Sequence, residues 1–158
     1  MLVGEQPGNE EDLRGLPFVG PAGRVLAQGL EASGLDPAEA YVTNVVKHFK
    51  WIPRGKRRIH QKPSAREVDA CRPWIDGEIA LVRPLILVPL GATAAQALLG
   101  SGFRVTVRRG RDIASPLAPH TVATVHPSSI LRQPTPADRE REMTRFIADL
   151  KIVARILQ

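Results

Sequence analysis

Leu85-Ile86-Leu87-Val88-Pro89-Leu90-Gly91, running into the alanine-rich stretch Ala92–Leu99, decides the fold class. Six apolar residues in succession are one strand long. They are apolar on both alternating faces, as a strand covered by helices on each side requires. Working outward, Tyr41-Val-Thr-Asn-Val-Val46 is rich in β-branched residues and reads as a strand, and Thr121-Val-Ala-Thr-Val125 as another buried one. Phe103–Arg109 alternates and is predicted as a strand. Met1–Val3 reads as the end of a first strand. Three residues are short for a sheet interior, so a segment ahead of Met1 is expected in a longer protein.

Helical patterns lie between these strands. Pro21 suits a first turn and Gly34 a C-cap, which bounds one helix. Ser64 with Glu67 three residues on reads as a capping box, starting a helix toward Val82 that bends or restarts near Pro73. After Pro136, Met143, Phe146, Ile147, Leu150, Val153 and Leu157 recur at three- and four-residue spacing, an amphipathic helix. Strands alternating with helices predict one α/β domain over residues 1–158, three layers with a mainly parallel central sheet. Ligands of such sheets bind at the carboxyl ends of the strands. The loops Glu5–Gly23, Lys47–Pro63 and His126–Arg132 all follow strands and are expected to converge on one rim.

At 158 residues with 43% hydrophobic and 24% charged content, the chain has the material for one packed core and is no disordered tail. No apolar run approaches the roughly 20 residues of a membrane span. A single cysteine, Cys71, excludes an internal disulfide framework and points to a reducing compartment, the cytoplasm. The net charge is +6, and its placement is uneven. Between Ala40 and Arg66 there is no acid, while eight lysines and arginines gather there. The rest of the chain is slightly acidic. A smaller cluster is Arg104, Arg108, Arg109 and Arg111. Focused positive charge points to a polyanion, most commonly nucleic acid.

Each chemically suggestive residue has a plain reading beside it. Gly4-Glu5-Gln6-Pro7-Gly8 with Glu11-Asp12 is either a turn with solvated acids or a loop whose backbone approaches a ligand while Glu5 steadies developing positive charge. Phe18, in a Gly/Pro-fixed loop, is a hydrophobic plug or a platform for a base taken out of its helix. Asn44, near a strand end, caps a loop or reads a pyrimidine edge with its paired donor and acceptor. Gly55-Lys56-Arg57-Arg58-Ile59-His60 is a solvated charge run or phosphate grip, read here as a long loop. His60 is also a competent nucleophile if a carboxylate orients it. His126-Pro127-Ser128-Ser129 starts a helix, or offers a histidine donor to an oxygen gaining charge and two hydroxyls to phosphate. No Gly-x-Ser-x-Gly elbow, Walker loop or dinucleotide fingerprint is present.

Taken in order, Gly4-Glu-x-Pro-Gly-x-x-Glu-Asp12, Gly15-x-Pro-Phe-Val-Gly-x-Ala-Gly23, Thr43-Asn-Val-Val-Lys47 and His126-Pro-Ser-Ser-x-Leu-Arg132 resemble the family 4 uracil-DNA glycosylases. The resemblance runs from Gly4 to the last helix. The Lys56–His60 insertion and Gln6 look more specifically like the UdgX branch, known for becoming covalently joined to uracil-containing DNA. The resemblance implies a monomer acting in DNA repair on flipped uracil, with single-stranded DNA as the expected partner. Phe18 would stack on the base, while Asn44 and Gln6 would meet its polar edge. His126 would stabilise the departing uracil anion. His60 would attack the sugar with Glu5 orienting its ring, Gln6 nearby and Arg58 fixing the loop. Lys56, Arg57, Arg58, Ser128 and Ser129 would hold DNA. A conventional hydrolytic glycosylase and a non-catalytic nucleic-acid-binding module are the alternatives. The resemblance also implies a 4Fe-4S cluster with four ligands. His48 and Cys71 match two of the positions, and no cysteine precedes the first motif, so the ligand set is incomplete.

Overall fold

The computed structural model describes residues 1–158 and is an α/β/α sandwich. Its sheet contains β1 (Leu2–Gly4), β2 (Val42–Asn44), the strand Ile86–Pro89 and the short strand His120–Thr121, all parallel. Between β2 and the last two lies an antiparallel hairpin of β3 (Trp51–Arg54) and β4 (Arg57–His60), which makes Ile86–Pro89 β5 and His120–Thr121 β6. The sheet order is β2-β1-β5-β6. Alternate residues of the central strands feed two cores. Leu2, Ile86 and Val88 face Val25, Leu26, Phe146 and Leu150, whereas Val3 and Leu87 face Cys71, Ile75, Ile79 and Leu98. The apolar run at 85–90 is therefore covered on both sides, as its composition requires.

The helices on the first face are α2 (Pro21–Ser33) and α7 (Pro136–Leu157), with the short α6 (Pro127–Leu131) packed against both; α1 (Asn9–Arg14) precedes α2. The second face carries α3 (Ala65–Val82) and α4 (Ala92–Leu99). The capping box of α3 forms as read, with Ser64 and Glu67 each bonded to the other's backbone N–H. Pro73 neither ends nor restarts α3, which runs unbroken through it.

Three expectations are corrected and a fourth is narrowed. Residues 103–109 do not form a strand: α5 (Val105–Arg108) is one helical turn. Val105 is buried against Ala95, Phe103, Ile113 and Ala123, but Val107, its partner on any strand face, is 65% exposed. Residues 47–63 are not a long loop but the stem and tip of the β3–β4 hairpin. Gly55 takes φ +59, the positive value a two-residue hairpin turn needs, and Trp51, Ile52 and Ile59 favour the extended ribbon. The acids after Gly8 belong to α1 rather than to a loop. Thr121–Val125 pairs along β5, but its regular ladder covers only His120–Thr121, with one further bridge from Leu90 to Thr124.

The chain leaves β1 to one side for β2 and to the other for β5. That reversal of strand order opens a crevice at the carboxyl ends of β1 and β5, the place where such sheets bind ligands. No helix is long and apolar enough to cross a membrane.

Candidate active site

Glu5 follows β1 directly, and Gly91 to Thr93 follow β5, so the two sides of the crevice carry chemistry at fixed height. The crevice widens into a cleft of about 910 Å³, lined among others by Glu5, Phe18, Asn44, His60, Thr93 and His126. A groove of comparable size, about 930 Å³, opens beside Leu85, ahead of β5, but gathers no comparable cluster of histidine and carboxylate.

One wall of the cleft is shaped by an absence. A Cβ on Gly4 would collide with Asn44 Oδ1 and stand 2.7 Å from Phe18 Cζ. Only glycine keeps the slot between these two side chains open. Phe18 holds a left-handed backbone, φ +52, and its ring lies 5.7 Å from that of His126. Asn44 Oδ1 is buried with no hydrogen-bond partner. A buried acceptor left unpaired is costly, and an imide N–H is the donor that would satisfy it.

His126 is the N-cap of α6. Its Nδ1 accepts from the Ser128 backbone N–H at 3.2 Å and pairs with Ser128 Oγ at 2.8 Å. Arg132 donates to that same oxygen at 2.9 Å, so the Ser128 proton points to the histidine. With Nδ1 committed as acceptor, the ring proton sits on Nε2. Burial pushes the His126 pKa down to about 4, against the smaller opposing pull of Glu5. The ring is thus a neutral donor at neutral pH. We expect long-range nitrogen–proton spectra to keep the neutral His126 pattern from pH 7.5 down to about 5 and to change only near 4. The linkage has a matching sign. The unfolded chain takes up this proton below about 6.5, so the contribution of His126 to stability falls as pH drops from there toward 4.

His60, at the end of β4, places Nε2 3.1 Å from Glu5 Oε1, and its side chain is half exposed. The hairpin that carries it is tied down at both ends. Gln6 donates to Lys50 O at 3.3 Å and Gln61 O at 3.0 Å and accepts from Lys50 N at 3.2 Å, which clasps the stem. Both of its side-chain N–H donors are spent on backbone, so the Gln6 side chain fastens the hairpin at the cleft that the residue lines. Arg58 donates to Asn9 Oδ1 at 2.7 Å and Asp12 Oδ2 at 2.6 Å and lies over Phe49 and Trp51. It ties the hairpin to α1, and its guanidinium is occupied there rather than free for phosphate. Lys56 and Arg57 stand exposed at the tip. Ser128 serves His126, and Ser129 Oγ donates to His126 O at 2.8 Å, so neither hydroxyl is free.

The iron–sulfur expectation meets an incomplete set here. Cys71 Sγ lies 4.0 Å from His48 Nδ1, so the two expected ligands are neighbours. Glu67 is near His48 at 3.7 Å, but Lys50 and Ser64 bind its carboxyl and hold it at about 2. No three His, Cys, Asp or Glu side chains are grouped to share a metal ion. Two donors do not complete a cubane's four, so the residues of this chain do not fit that cluster on their own.

The family model for the uracil DNA glycosylase superfamily matches residues 1–151. The chain belongs to the uracil-DNA glycosylase superfamily. A type-4 uracil-DNA glycosylase of Thermotoga maritima is 35% identical over 150 residues, covering 94% of this chain and 72% of that protein. One of Pyrobaculum aerophilum is 34% identical over 142 residues, covering 85% and 68%. Within this glycosylase fold, one cleft residue is not among the candidates read from the sequence. Thr93 lies in the alanine-rich stretch 92–99, although its place just after a central strand marks it. Glu11 accepts from Gly20 N at 2.8 Å and braces the loop that presents Phe18.

Proposed function

We propose that this chain excises uracil from DNA and that His60 captures the sugar left behind, the behaviour of the UdgX branch. The observation that carries the reading is the 3.1 Å pair of His60 and Glu5 in the same cleft as neutral His126. A flipped uracil would enter between Phe18 and Asn44, with its N3–H on the unpaired Asn44 oxygen. As the N1–C1′ bond breaks, its electron pair leaves with the base and spreads to O2, where His126 Nε2–H donates. The lone pair of the free His60 ring nitrogen forms the new bond to C1′. Glu5 accepts the proton from the other ring nitrogen, and the uracil anion takes one from water. An alkylated imidazole is a poor leaving group once uracil is gone, so each molecule reacts once.

The test mixes the chain with a uracil-bearing single-stranded oligonucleotide and a thymine control. A uracil-dependent band that stays shifted on a denaturing gel supports the reading. Cleavage only after hot alkali, with no shifted band, replaces it by hydrolytic turnover, a reading favoured by the type-4 relatives. Neither signal leaves only nucleic-acid binding.

A further inference from the structure

Glu5 has two carboxylate oxygens, and they face different partners. Oε1 faces His60, whereas Oε2 accepts from the hydroxyl of Thr93. We propose that Thr93 is a positioning residue for the capture step, fixing the Glu5 carboxylate so that one oxygen is always presented to His60. The proposal rests on the reading above, because it gives a role to the carboxylate that the reading invokes.

The argument begins with freedom of motion. Glu5 sits on a loop and has several rotatable side-chain bonds, and the cleft around it is wide. A carboxylate that swings away leaves His60 without its partner. Thr93 removes that choice. It is the second residue of α4, whose neighbours Ala94 and Ala95 are wholly buried, so its backbone belongs to the rigid body of the domain. A β-branched side chain in a helix has few rotamers, which aims the hydroxyl. Glu5 follows β1 and Thr93 lies in α4 just after β5, so the bond spans the crevice where the strand order reverses. His60 comes from a hairpin outside the sheet. Thr93 therefore relates a nucleophile on an appended ribbon to the fixed frame of the sheet, through a single carboxylate. Misplacement of a reacting group by about 1 Å costs up to about a hundredfold in rate.

The test uses the full chain with Thr93→Val, which keeps the shape, and Thr93→Ser, which keeps the hydroxyl. Capture is followed on denaturing gels at saturating uracil oligonucleotide. Binding is measured separately by anisotropy with a strand carrying 2′-fluoroarabino-uridine, which resists cleavage. Thr93→Val is expected to slow capture at saturation by about tenfold to a hundredfold while binding changes by less than about twofold. Thr93→Ser is expected to return most of that rate. Equal rates for wild type and Thr93→Val overturn the proposal, as does a Thr93→Ser no faster than Thr93→Val. If the wild type forms no adduct but releases uracil, the covalent reading fails by itself, and the same comparison on abasic product decides the role of Thr93. A wild type that does neither overturns both.

Discussion

His60→Ser is expected to lose the denaturant-resistant adduct and to yield an abasic product instead. Adduct formation should fall by more than about a hundredfold, while uracil release should persist. The reasons are local. A serine oxygen stands well short of the imidazole's reach, so it cannot take over the bond to the sugar. The space vacated beside Glu5 Oε1 is half open to solvent, so water enters. Glu5, still held by Thr93, can then accept a proton from that water. Bond breaking continues because Asn44, Phe18 and His126 lie on other elements. The fold is unaffected, because the hairpin is held by Gln6 and Arg58 and not by the histidine. Intact-mass measurement should give protein plus oligonucleotide minus uracil for the wild type and protein alone for His60→Ser. If His60→Ser still cross-links at the wild-type rate, another nucleophile is at work. Lys62, also in the lining, is the first to test. A lysine adduct would be an imine to the opened sugar and would need borohydride to survive denaturation.

Particular residues explain how much of this was legible beforehand. The run Leu85–Leu90 declared a strand buried on two faces because nothing in it is polar, and the fold class follows from that. Ser64 and Glu67 declared a helix start because their side chains satisfy backbone groups three residues away, a local event. The hairpin at 51–60 was hidden because Pro53, Gly55 and Pro63 all read as breakers. Gly55 is in fact the turn, and Pro53 sits in a two-stranded ribbon with no further neighbour. The roles of Gln6 and Arg58 were hidden for a different reason. Their partners are 44 to 55 and 46 to 49 residues away in the chain, and no spacing rule reaches that far. The cleft residues Glu5, Asn44 and His126 were legible individually as strand-end chemistry, and Phe18 as an aromatic in a loop fixed by glycine and proline. The neutrality of His126 was not, since it depends on burial by the rest of the domain.

Charge shows the same limit and leads to the second large effect. Arg109 looks like one of four arginines awaiting a polyanion. The structure instead buries it. Its Nε donates to Asp149 Oδ2 at 2.6 Å, its Nη1 is bonded to Glu142, and its Nη2 is enclosed without a partner. Asp149 Oδ2 also accepts from Thr124 Oγ1 at 2.5 Å, which ties α7 to the segment leading into His126. Asp149→Ala therefore strands a guanidinium with one carboxylate and leaves the Thr124 hydroxyl unpaired. Removing one partner of a buried pair costs about 3–5 kcal/mol, and for a domain of this length that lowers the melting temperature by roughly 10 °C. Urea unfolding with an unchanged slope is the measurement. A cost below about 0.5 kcal/mol, the range of surface changes, would show that water reaches the pair and that it holds nothing together. The paired replacement Arg109→Met with Asp149→Leu should recover part of the loss, because it removes the orphaned guanidinium while Glu142 keeps Arg145 and the Thr124 hydroxyl stays unpaired. That double variant also separates structure from recognition. A phosphate-binding arginine contributes to the salt dependence of DNA binding, so its loss would flatten the slope. Arg109 has no free face to offer a phosphate, and the slope should stay where it is. Substituting Lys56 and Arg57, exposed at the hairpin tip, should reduce it.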